Sequence, residues 1–151
     1  MESNAIKVLG FALGEQWFGL DLSMVKEVVE WSDLASVPKA PGCALGIFNY
    51  HGRIITVVDP AHFFNLTPKR VSPDTRIIIL SGEEYSLGLR VDHAEKIESF
   101  PRDMLLTGRE GKVEKNFIKA VVPIEDKLYN LLDPEPLLDS IEEEFSAANE
   151  R

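Results

Sequence analysis

The sequence predicts a mainly β protein made of two small, related barrels packed side by side, and two observations carry that prediction. The chain is a succession of short runs rich in Val, Ile, Leu and aromatics, most of them bounded by Gly, Asp or Pro. It also repeats itself weakly. Phe18-Gly19-Leu20-Asp21-Leu22-Ser23-Met24-Val25-Lys26-Glu27-Val28 lines up with Leu87-Gly88-Leu89-Arg90-Val91-Asp92-His93-Ala94-Glu95-Lys96-Ile97, an offset of 69. Each copy follows a Gly-Glu turn and an aromatic (Gly14 and Trp17; Gly82 and Tyr85). Arg53-Ile54-Ile55-Thr56-Val57-Val58-Asp59-Pro60 lines up with Lys127-Leu128-Tyr129-Asn130-Leu131-Leu132-Asp133-Pro134, an offset of 74. One such match between short strands would mean little. Two in the same order, at nearly the same spacing, point to a duplication, with the extra residues of the second copy around Pro101–Lys115.

The elements follow in order. Ile6, Val8, Phe11 and Leu13 tend to alternate, and Gly14-Glu15-Gln16 turns the chain into Trp17–Leu22, which makes a hairpin. Ser23 is a candidate cap for a short helix, because Met24, Val25, Val28 and Val29 fall at helical spacing. Strands are predicted at Leu45–Tyr50, Arg53–Asp59, Thr75–Ser81, Tyr85–Val91, Ala94–Ser99, Phe117–Ile124 and Lys127–Leu132. Asp59 and Asp133 each precede a proline, the pattern of a helix N-cap followed by Pro at the first helical position. After Asp133, Leu137, Leu138, Ile141 and Phe145 form one apolar stripe, with Glu142, Glu143 and Glu144 mostly outside it. That segment is the one sustained helix.

Each repeat can curl its strands into a small barrel, which removes exposed edges. So small a core gains from packing on a second one. The expected division of the single domain over residues 1–151 is 14–66 and 75–138, with an acidic helix or tail over 139–151. Asn65–Asp74 is the crossing between halves, and the strand over 6–13 can complete either barrel. Two barrels side by side leave a groove along their seam, and such seams are where partners bind.

Charge and composition exclude several functions. The 25 acidic and 16 basic residues give a net charge of −9, which disfavours nucleic acid and anionic lipid. The amino end lacks the basic region of a signal peptide, and no apolar run approaches the ~20 residues of a membrane span. Cys43 is the one cysteine, so neither an intrachain disulfide nor a cysteine zinc site can form. A cytoplasmic protein is expected. Arg102–Lys119 holds five bases against three acids and reads as a solvated loop.

A search for chemistry finds little. His51, His62 and His93 form no metal-binding spacing, and no nucleophile elbow, phosphate loop or dinucleotide fingerprint is present. Cys43 has no basic neighbour in sequence to activate it. Trp17 and Trp31 lack a basic groove and read as core or interface aromatics. No enzyme activity, cofactor or metal is expected.

Phe11-x-Leu13-Gly14-Glu15-x-x-Phe18-Gly19-Leu20-Asp21-Leu22-x-x-Val25-x-Glu27-Val28 resembles the opening of the CheW family, the adaptors of bacterial chemotaxis arrays. Gly46–Asp59 is similar to that family's central strand pair, and Leu87–Asp92 with Phe117–Val121 and Leu131-Leu132-Asp133 to its second half. The resemblance runs from about Phe11 to Leu138. It implies two SH3-like five-stranded barrels with short helices and a C-terminal helix. It further implies a non-catalytic adaptor that couples the cytoplasmic hairpin tips of methyl-accepting chemoreceptors to the regulatory domain of a CheA-type histidine kinase. The receptor tip would lie in the seam and the kinase on the barrel ends, without direct membrane contact, at the membrane-associated array.

Carried onto this sequence, the receptor-facing residues implied are Val25, Glu27, Val28, Gly46 and His51, with Gly88, Ala94 and Ile97 from the second half. An amphipathic helical hairpin needs an apolar trough and a few polar groups to fix register. Val25, Val28, Ala94 and Ile97 can equally be core, and Gly46 and Gly88 can serve close packing. Departures from the family pattern cluster here. Asn49-Tyr50-His51-Gly52 stands where the family reads Asn-Leu-Arg-Gly, so an imidazole replaces a permanent cation. Thr56, Pro60, Leu45 and Ala94 replace the usual proline, leucine, lysine and valine, and Thr107–Lys115 lacks prolines. Two further readings stay open: a divergent adaptor of a type IV pilus, motility or other chemosensory pathway that has lost one partner, and a small-molecule-binding or hydrolytic barrel using His51, His62 and Asp92.

Overall fold

The computed structural model describes residues 5–82, 86–105 and 117–149. Tyr85 and the Thr107–Lys115 loop fall outside these residues. Strands β1 (Ala5–Leu13) and β2 (Gln16–Asp21) pair as an antiparallel hairpin. A 3-10 turn at Leu22–Met24, with Ser23 N donating to Asp21 Oδ1 at 2.9 Å, leads into β3 (Val25–Glu30). Next come β4 (Ala44–Tyr50), β5 (Arg53–Val58) and the one-turn helix α1 (Ala61–Phe64). The second half supplies β6 (Arg76–Leu80), β7 (Leu87–Val91), β8 (His93–Pro101), β9 (Ile118–Ile124), β10 (Lys127–Leu132) and the helix α2 (Pro134–Asn149). The expected class, mainly β with two five-stranded units and a C-terminal helix, is what the chain adopts.

Strand order reveals how the duplication is built. One sheet runs β8-β1-β2-β10-β9 and the other β3-β6-β7-β5-β4. Moving each strand of the first sheet to its counterpart in the other repeat reproduces the order of the second. Registers follow suit. Val28 pairs with Ile78 as Ile97 pairs with Leu9, and the bulge between Val25 and Glu27 in β3 answers one between Ala94 and Ile97 in β8. The parallel pairs Asn130–Phe18 and Leu131–Gly19 answer Thr56–Leu87 and Val57–Gly88. Each sheet therefore combines the hairpin of one repeat with the three remaining strands of the other. The strand order departs from the expected division into 14–66 and 75–138, because the β1–β2 and β6–β7 hairpins are exchanged between halves. The strand over 6–13 pairs with β8 on one side, and it brings β2 with it.

The helix expected from Ser23 onward is a second correction. Only the 3-10 turn is helical, and Val25–Glu30 is a strand paired with β6. A bulge advances the side-chain alternation by one residue. Apolar residues then fall at 25, 28 and 29, a spacing that imitates a helix. Three β-branched valines favour the strand.

Three buried clusters organise the interior. Val8, Phe100, Ala120, Val122, Tyr129 and Leu131 fill the first sheet's own concavity. Ile55, Val57, Ile77 and Ile79 fill the second's. The terminal strands β3 and β4 of the second sheet approach each other, since Tyr50 at the end of β4 hydrogen-bonds Glu27 in β3, so that sheet curls back on itself. The third and largest cluster lies between the sheets. It joins Leu9, Phe11, Phe18 and Leu20 to Ile78, Leu80, Leu89 and Val91, and extends to Leu137 and Ile141 of α2. Rings pack through it, Phe11 stacked on Phe18 (5.6 Å), Phe18 on Phe64 (5.1 Å), and Phe64 tilted against Phe117 (5.6 Å). The expected open groove along the seam is thus closed in its interior. Aliphatic and aromatic burial on this scale makes the two sheets one folding unit.

One buried ion pair fastens the crossing between halves. Arg90 Nη2 lies 3.3 Å from Asp92 Oδ1 and donates to the Lys69 carbonyl. Asp92 Oδ2 accepts from Gly14 N at 2.7 Å and from Lys69 N at 3.1 Å. The turn of the first hairpin and the crossing segment are therefore held by the same carboxylate.

Candidate partner-docking site

The eight residues implicated from sequence separate into three environments. The first is a strip on the two sheet edges. β3 and β8 are terminal strands, and Val25, Val28, Ala94 and Ile97 sit opposite Leu80, Ile78, Phe11 and Leu9. All four partners belong to the cluster between the sheets. Side chains paired across strands share a face, so these four point toward the seam at its rim. Val25 and Val28 are half-buried against the cluster, Ala94 is half-buried, and Ile97 is 54% exposed.

Glu27 and His51 lie elsewhere. Glu27 is opposite Ile79, which points into the second sheet's own interior, so its carboxylate faces away from Val28. The Tyr50 hydroxyl donates to Glu27 Oε1, and that hydrogen bond pushes the Tyr50 phenol above its ordinary range. His51 and Gly52 form the two-residue turn between β4 and β5, with φ of +52° and +83°. Both values suit the turn type whose twist matches that of the flanking strands. The exposed His51 ring packs edge-on to Tyr50, centroids 4.5 Å apart. Sequence reasoning missed Tyr50, since nothing local links it to a carboxylate 23 residues away.

Gly46 and Gly88 are buried and serve packing. A Cβ on Gly88 would meet Ile77 Cγ2 at 2.7 Å, and one on Gly46 would meet Leu34 Cβ at 2.6 Å and the Ala35 carbonyl at 2.7 Å. Gly46 also has φ +150° at the bulge where residues 34–35 cross β4. Gly46→Ala is therefore expected to destabilise the protein by about 3 kcal/mol. Gly52→Ala, with nothing near its Cβ, should cost only about 1 kcal/mol. Urea unfolding of the two variants checks the difference.

The ends of the sheets carry matched exposed residues. Ile54 at the start of β5 and Leu128 at the start of β10 are equivalent in the repeat, and they are 52% and 47% exposed. Beside Leu128, Lys127 Nζ lies 3.7 Å from the centre of the Trp17 ring, and Glu95 reaches His93 at 3.0 Å and Lys127 at 3.9 Å.

The residues that could suggest an enzyme have other partners. His62 Nε2 lies 2.9 Å from Glu144 Oε2 and joins α1 to α2. Asp92 is committed to Gly14, Lys69 and Arg90. Asp59 Oδ1 accepts from Ala61 N at 3.1 Å at the start of α1, as expected of a cap. Among the described residues, no group of three or more His, Cys, Asp or Glu could hold a metal. Cys43 is fully buried, and burial together with Glu144 pushes its thiol up to about 12. Its thiolate is then about a thousandfold scarcer than a free cysteine's near neutral pH. Iodoacetamide is expected to leave Cys43 unmodified in the native protein and to alkylate it readily in about 6 M guanidinium, as read by intact mass.

The CheW-like domain family matches residues 7–142. The chain belongs to the CheW family. It is 26% identical over 136 residues to the chemotaxis protein CheW of Bacillus subtilis (88% of this chain, 86% of that one). It is 28% identical over 142 residues to the chemotaxis protein CheW of Rhizobium meliloti (91% and 90%). The crystal structure of the scaffolding protein TtCheW from Thermoanaerobacter tengcongensis superposes with a TM-score of 0.77 at 27% identity, covering 85% of this chain and 88% of that one. CheW proteins are non-catalytic scaffolds, and this chain is accordingly not an enzyme. No helix among the described residues is long and apolar enough to cross a membrane.

Proposed function

We propose that this CheW-family scaffold couples the cytoplasmic hairpin tips of chemoreceptors to the regulatory domain of a CheA-type kinase, in the cytoplasm at the receptor array. The observation that carries the reading is the strip of Val25, Val28, Ala94 and Ile97, four apolar residues at repeat-equivalent positions on the two sheet edges, all in register with the cluster between the sheets. Such a strip suits the apolar face of a helical hairpin, whose binding by packed side chains depends little on salt. The exposed Ile54 and Leu128 suit a kinase domain at the ends of the sheets.

Because the two surfaces use different strands, both partners can be held at once. Each contact can be of ordinary size, ~800 Å² per partner, while repetition in an array raises the effective affinity. Co-precipitation with a receptor hairpin fragment and the kinase regulatory domain tests the reading. The expected result is a ternary complex in which Ile54→Asp releases only the kinase domain. Mutually exclusive binding would contradict it.

The Glu27–Tyr50 hydrogen bond and the exposed His51 favour a second reading, in which the end of the second sheet has been retuned for a partner of a pilus, motility or other chemosensory pathway. His51→Arg separates the two. Stronger receptor docking supports the usual geometry, and unchanged docking removes His51 from the receptor site.

A further inference from the structure

We propose that the groove between α2 and the second sheet is a further docking site, one that takes a cationic amphipathic helix from another protein. The groove encloses about 730 Å³ between Thr56 of β5, Leu87 of β7 and the face of α2 carrying Leu138 and Phe145. These last two pack against the cluster between the sheets yet are only half-buried, so part of each faces the groove. Beside them Glu135, Asp139 and Glu142 recur at i, i+4 and i+7, which sets three exposed carboxylates in one row along the helix. None of the three forms an ion pair among the described residues, and the described span of α2 holds five acids and no base.

That combination selects the occupant. An apolar floor with one acidic wall matches a helix with leucine-like residues on one face and Lys or Arg along its flank. Sixteen residues make α2 about 24 Å long, so four to five turns of a partner helix can lie along it. A second copy of this chain is a poor occupant, because each copy carries a net charge of −9 and would bring the same acidic helix. The groove uses β5, β7 and α2 and leaves β3 and β8 free, so it is separate from the strip on the sheet edges.

A synthetic 18-residue helical peptide of leucine and lysine, patterned for one apolar face, is the probe. Titrated into the isotopically labelled full chain, it should shift the amide signals of Thr56, Leu87 and residues 135–145, with a dissociation constant in the micromolar range. Affinity should fall at least tenfold between about 50 mM and about 0.5 M salt. The double charge reversal Asp139→Lys/Glu142→Lys, at exposed positions that leave the fold intact, should weaken binding at least tenfold. A leucine–glutamate peptide of the same pattern should then bind the reversed protein better than the original one. Shifts spread over the whole acidic surface, charge reversal without effect, or self-association through α2 in the absence of peptide would each overturn the proposal.

Discussion

Arg90→Leu is expected to destabilise the protein by about 3–5 kcal/mol, a large share of the stability of a domain this size. Arg90 and Asp92 are 7% and 6% exposed, so the substitution leaves a buried carboxylate without its cation. It also strips the Lys69 carbonyl of its donor. The loss is not confined to one pair, because Asp92 simultaneously holds the amides of Gly14 and Lys69. Residues 65–74, the crossing between repeats, should loosen first, and limited proteolysis should cut there before global unfolding. Urea unfolding measures the total. A loss below about 1 kcal/mol would mean that solvent reaches the pair and that the crossing is secured by other contacts.

Ile97→Asp is expected to weaken binding of a receptor hairpin fragment by about 30-fold or more while leaving the kinase regulatory domain bound as before. Ile97 is the cleanest position for this test. Being 54% exposed, it can change with a stability effect within about 0.5 kcal/mol. Val28, its equivalent in the first repeat, packs against the cluster between the sheets, so Val28→Asp confounds docking with folding. Calorimetric titration of each partner into the Ile97 variant separates the two surfaces. Equal losses for both partners would indicate a general defect rather than a local one.

The duplication was legible because corresponding strands keep their glycines and apolar residues at offsets of 69 and 74, and the helix stripe of Leu137, Leu138, Ile141 and Phe145 was equally plain. The exchange of hairpins was not. It rests on the parallel pairs of β2 with β10 and of β7 with β5, and the first of these joins Phe18 to Asn130 across most of the chain. Periodicity within a segment carries no record of which distant strand it will pair with. The helix-like spacing of β3 has a local cause, since the bulge at Val25/Glu27 breaks strict alternation.

At the site, the family resemblance implied Val25 and Val28, with Ala94 and Ile97 as their second-half counterparts. It could not divide them from Glu27, whose facing depends on that same bulge, or from His51, which sits in the β4–β5 turn. Close packing at Gly46 and Gly88 was legible as one of two readings, but what enforces it was not. It depends on Leu34, Ala35 and Ile77, brought close only by the folded sheet.

Amide shift mapping of a receptor hairpin fragment on the labelled protein tests most directly whether two related sheets offer their edge strands β3 and β8 to another protein's helices. Saturable perturbations at Val25, Val28, Ala94 and Ile97, on β3 and β8 together, are the expected result. Perturbations restricted to one of the two strands, or to Ile54, Leu128 or α2, would contradict it.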